Sequence, residues 1–156
     1  MNINLICVGN IKEKYLTQAI NEYQTRISKF ANIKVIELKE EKLPKNYSLK
    51  DIEIVKEKES EKIIANLKGY NVLLDVEGVE LDSVKLANKI NDIFNTSSTI
   101  NFIIGGSYGV SDKLKNMVNF RLSFSKLTFP HQLFRVNVLE QIYRAFTILN
   151  NITYHK

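Results

Sequence analysis

The chain of 156 residues has one cysteine, two histidines and two prolines. None of its apolar runs approaches the roughly 20 residues of a membrane span. A lone cysteine excludes an internal disulfide, and Cys7, in an apolar strand, reads as core rather than nucleophile. Cys7, His131 and His155 lie too far apart for a metal-ligand spacing, so no metal is expected. There is no G-x-S-x-G elbow and no P-loop. The glycines run Gly105-Gly106-x-x-Gly109 rather than G-x-G-x-x-G. Ser125 and Lys126 stand where a dinucleotide site wants an acidic residue, which sets aside a Rossmann dehydrogenase. The start, Met1-Asn2-Ile3-Asn4-Leu5, lacks the basic and small-residue features of a secretory signal. We therefore expect a cytoplasmic protein in a reducing compartment, with no membrane contact.

What is present is the composition of a globular domain, 44% hydrophobic and 25% charged, with length for one core. The net charge of +5 is uneven. Residues 1–109 balance, whereas residues 110–156 hold seven basic residues against two acidic ones. A positive field around a pocket suggests a polyanionic partner such as nucleic acid; a solvated basic face would read the same.

Patterning predicts strands at 2–8, 33–38, 71–76, 100–104 and 120–124, with Gly78 following the third. Helices are expected at 13–30, from a Ser48-x-x-Asp51 capping box to about Leu67, from an Asp82 cap to about Phe94, from Ser111 or Asp112 to about Met117, and from Pro130 to about Leu149. The second helix is mostly Glu and Lys outside its apolar stripe, and that charge reads as a solvated face. Strands alternating with helices imply a single-domain α/β fold over residues 1–156, with a parallel sheet covered on both faces.

Three turns follow strands: Leu74–Gly78, Gly105-Gly106 and Ser125–Pro130. If the strands are neighbours, the turns form one cleft of backbone amides and carbonyls, with Leu74 and Leu127 as apolar contacts for an adenine. Four motifs then stand in order: Ile103-Ile104-Gly105-Gly106-Ser107-Tyr108-Gly109, Leu122–Gln132, Glu140-Gln141-Ile142-Tyr143-Arg144-Ala145, and Tyr154-His155-Lys156. Together they resemble the SPOUT-class methyltransferases, and more narrowly the ribosomal large-subunit methyltransferase H family, which methylates N3 of a pseudouridine in 23S rRNA.

The resemblance covers the whole chain and implies a C-terminal trefoil knot, which periodicity cannot show. It implies bound S-adenosylmethionine, held at Leu74, Gly105, Ser125, Lys126, Leu127, Thr128, Phe129 and Pro130. It also implies a homodimer whose sites are completed by the other subunit, acting on ribosomal RNA in the assembled ribosome. Tyr108 stands where some members carry another residue. An imide N3 must lose its proton before it attacks, and the candidates to manage that step are His131, Arg135, Tyr154, His155 and Lys156. Ribose 2′-O methylation by a related knotted enzyme, and a non-catalytic RNA- or nucleotide-binding module, are the alternatives. We further expect that bulk at Gly105 blocks the cofactor by sterics, and that the broad apolar stripe of residues 131–149 forms the dimer surface.

Overall fold

The computed structural model describes residues 1–156. Strands β1 (Asn2–Val8), β2 (Asn32–Leu38), β3 (Tyr70–Glu80), β4 (Thr99–Ile104) and β5 (Phe120–Ser123) form one parallel sheet, in the order β2-β1-β4-β3-β5. Their C-terminal ends therefore share one edge, where open α/β sheets bind ligands. β1 shows why both faces are covered. Ile3, Leu5 and Cys7 enter one apolar cluster, while Ile6 and Val8 enter another on the opposite face. Burial on both faces accounts for the near-continuous apolar run.

Helices α1 (Lys14–Ile27), α3 (Ser83–Phe94) and α5 (His131–Leu149) cover the first face. α2 (Leu49–Ile64) and the short α4 (Asp112–Met117) cover the second. Local chemistry sets the helix starts. Ser48 and Asp51 make a reciprocal capping box, and Asp82 and Ser111 accept hydrogen bonds from Lys85 N and Leu114 N.

Three features differ from the sequence expectation. α1 stops at Ile27, but Phe30 still stacks on Phe146, so its place in the apolar pattern reflects packing beyond the helix. β3 does not end before Gly78. It pairs with β5 as far as Leu74, breaks register, and pairs again at Val79 and Glu80. A Cβ on Gly78 would come within 2.6 Å of the Arg121 carbonyl oxygen, so glycine is what lets the two strands close up after the break. Finally, α5 packs against both α1 and α3. Val138, Leu139, Ile142, Ala145 and Phe146 are buried in this protomer, so two neighbouring helices take up most of the apolar circumference that had suggested a partner surface.

Candidate active site

β4 empties into the turn Gly105–Val110, closed by a hydrogen bond from Gly109 N to Gly106 O (3.0 Å) with Gly109 at φ +84°. A Cβ on Gly105 would lie 2.5 Å from Val110 Cγ1, and one on Gly106 would collide with the Glu59 carboxyl. The bareness of Gly105 is thus required by the turn's own packing. Bulk at Gly105 therefore meets the turn itself as well as the adjoining cavity. The turn is a wall with a cavity on each side.

The first cavity, about 370 Å³, lies between the turn, the Leu74–Val76 end of β3 and the segment Phe124–Phe129. Of the expected cofactor residues, Leu74, Gly105, Ser125, Leu127, Thr128 and Phe129 line it. Lys126 and Pro130 do not. Lys126 is turned outward, its Nζ donating to Val76 O (3.3 Å) and standing 3.9 Å from Glu80. Asp75 also lines the cavity; it accepts from Arg121 Nε (2.9 Å) and Nη2 (2.6 Å) and from Glu77 N (3.0 Å). Burial alone would raise the Asp75 pKa, but these hydrogen bonds outweigh it and hold the carboxyl below its usual range. Main-chain groups and apolar Leu74, Leu127 and Phe134 suit a nucleoside, while Asp75 is paired with Arg121, and Lys56 and Lys115 also line the wall.

The second cavity, about 490 Å³, lies behind the turn against α2 and the loop 40–43. Arg135 reaches it but is 1% exposed. Its Nη2 donates to Val8 O and Gly9 O, both at 2.9 Å, and its Nη1 stands 3.5 Å from Glu37. Arg135 thus clamps the end of β1 and does not line the first cavity. His131 is exposed and lines both cavities. No side chain caps α5, so the imidazole is not spent on its own helix.

The tail lies elsewhere. Tyr154 Oη donates to Glu140 Oε1 (3.0 Å), its ring packs edge-on to Tyr143 at 4.9 Å, and Arg144 pairs with the same carboxylate. Arg144 Nη1 stands 3.2 Å from His155 Nδ1. Burial, then hydrogen bonding to Tyr23 and Glu140, push the Tyr154 pKa up, so the phenol keeps its proton. His155 and Glu140 line a third cavity of about 810 Å³, and Lys156 is exposed. Leu122, Phe124 and Phe129 separate this cavity from the first and line both. The five candidates for proton management therefore fall into two groups, His131 and Arg135 by the glycine turn, and the tail on the far side of the β5–α5 connection.

A family model described as "Predicted SPOUT methyltransferase" matches residues 1–155. Over the full length of both chains, this one is 52% identical to the ribosomal RNA large subunit methyltransferase H of Malacoplasma penetrans. It is 48% identical to the protein of the same name from Clostridium acetobutylicum, again over the whole of each. The chain belongs to the SPOUT methyltransferases. Within them its family is that of the ribosomal RNA large subunit methyltransferase H proteins, and its methyl donor is S-adenosylmethionine. A probable methylase family protein from Haemophilus influenzae has the same fold, with a TM-score of 0.53 at 11% identity over 99% of this chain and 70% of that one.

Two features of this SPOUT enzyme escape a reading of its sequence. Glu59 belongs to a charged helix whose polar residues read as a solvated face, yet it is 4% exposed. The signal was available, because Val55, Glu59 and Ile63 recur at a spacing of four and so share one helix face. The positive excess of the last third is also smaller at the surface than in the sequence. Arg121, Arg135 and Arg144 are each paired with a carboxylate.

Proposed function

We propose that this chain methylates N3 of a pseudouridine in 23S ribosomal RNA, acting as a homodimer on the assembled ribosome. The observation that carries the reading is the convergence of the Gly105–Val110 turn and the Phe124–Phe129 segment on one cavity lined by Leu74, Asp75 and backbone. The relatives that share this chain's full length are named for large-subunit rRNA methylation. In this reading the Phe124–Pro130 segment belongs to the trefoil knot.

When bound, S-adenosylmethionine supplies a methyl group on a positively charged sulfur. Leu74, Leu127 and the main chain at Gly105, Ser125 and Thr128 would hold it. What the chain must add is alignment of the imide and removal of its proton. His131, exposed at the rim of the donor cavity, is the group of this protomer that can take the N3 proton. Arg135 serves by fixing the first turn of α5, which carries His131. Tyr154, His155 and Lys156 lie away from their own protomer's donor cavity, so they act at the partner's. There Lys156, exposed and outside the Tyr154–Glu140–Arg144 cluster, can donate a hydrogen bond to the oxygen of the developing imide anion.

The test is methyl transfer to assembled ribosomes from a strain lacking this protein, followed by mass spectrometry of the nucleosides. One methyl group on the base of a pseudouridine is expected. Methylation of a ribose, or of an ordinary uridine, would overturn the assignment.

A further inference from the structure

The second cavity is distinct from the one assigned to the methyl donor. It meets the first along Gly106, Ser107, Tyr108 and His131, which line both. Val55 and Leu43 give it apolar wall, and Lys12 and Lys42 stand among its charged residues. At its inner side is Glu59, brought there by α2. Glu59 Oε1 accepts from Glu41 N (2.9 Å). Its Oε2 lies against Gly106 and accepts no hydrogen bond within the protein, in a residue that is 4% exposed and lines the cavity. Oε2 is thus open to the cavity, where a ligand offering an N–H or O–H can take the place of solvent.

Pseudouridine has such a donor. Its ring is joined to the sugar through carbon, which frees N1 to carry a hydrogen. In uridine N1 is the glycosidic nitrogen and has none. We propose that the second cavity receives the target base, with Glu59 Oε2 accepting the N1–H that tells pseudouridine from uridine. The inference rests on the substrate reading given above. N1 and N3 flank one carbonyl of the ring. A base whose N1 is held at Glu59 can therefore turn N3 toward the shared rim, where His131 and the donor cavity meet. Uridine seated there would displace solvent from the Glu59 oxygen without replacing its hydrogen bond, and sites that bury a hydrogen-bonding group on binding discriminate strongly against analogues lacking its partner.

The experiment compares three RNAs that carry pseudouridine, uridine or N1-methylpseudouridine at the target position. Wild-type enzyme is expected to methylate the first at least about tenfold faster than either of the others. In Glu59→Gln the amide oxygen keeps the bond from Glu41 N, and the amide NH2 then faces the cavity, donor against donor. That variant is expected to lose at least about tenfold on pseudouridine and much less on uridine, with calorimetry showing unchanged affinity for S-adenosylmethionine. Wild-type methylation of N1-methylpseudouridine as fast as pseudouridine would overturn the proposal without any variant having to fold. So would a folded Glu59→Gln that keeps the full preference. A wild type that methylates none of the three bases would instead remove the substrate reading, and this inference with it.

Discussion

Glu59 and Arg135 are the two charged side chains the fold buries, and each carries backbone. Replacing Arg135 by leucine strands the carbonyls of Val8 and Gly9 and leaves Glu37 without its cation. We expect a loss of about 2–4 kcal/mol in urea unfolding, since each buried unsatisfied group costs about 1–3 kcal/mol. The Glu59 carboxyl is pushed above 4.5, first by burial and less by the charges of Glu40 and Glu41, against the Glu41 N–H and Lys62. The folded state then binds that proton more tightly than the unfolded one. Its contribution is present below pH 4.5 and is lost as pH rises through the folded value. Glu59→Gln should remove this part of the pH dependence, so urea midpoints of variant and wild type should draw apart as pH rises above 4.5. At Gly105 the contact with Val110 predicts that Gly105→Ala weakens cofactor binding and that Val110→Ala restores it in the double variant, by calorimetry. Sequence singled out Arg135 as a cation that could favour the imide anion. Nothing local to it says that the guanidinium turns toward a strand end 127 residues earlier.

The elements themselves were largely legible, because the signals that start and stop them are local. Ser48, Asp82 and Ser111 each accept the backbone N–H three residues on, a bond that needs no tertiary partner. Six of the eight expected cofactor residues line one cavity for a related reason: strand ends share an edge whenever the strands are parallel. The break in β3 was not legible, since Gly78 reads as a terminator until β5 is known to lie against it. Gly78→Ala would put a methyl group on the Arg121 backbone. It should separate the two strands beyond Leu74, lower stability by more than about 1 kcal/mol, and weaken cofactor binding through Asp75 and Val76, which line the cavity. A variant as stable as wild type in urea would show that the break tolerates a side chain.

At the scale of the whole molecule, Tyr154 and His155 sit against Glu140 and Arg144, and none of the last three residues lines the cavity beside Leu74 and Gly105. Removal of Tyr154–Lys156 should leave the proposed dimer and cofactor affinity unchanged, by light scattering and calorimetry. Single-turnover methylation at saturating cofactor should fall at least about tenfold, about 1.4 kcal/mol in barrier. A truncated protein that transfers methyl at the full rate would take the tail out of the reaction. The clamp from Arg135 to Val8 and Gly9 has a consequence in the order of synthesis. β1 is made first, but β4, which lies beside it, and the arginine that closes its end both come late. At about 5–20 residues per second, the end of β1 waits roughly 6–25 s for its clamp. A chain stalled before α5 would hold β1 between both of its partner strands but leave its end unclamped and one apolar face of the sheet without α5. Such fragments would be inert toward the ribosome that made them and ready prey for proteases, and activity would begin only after release.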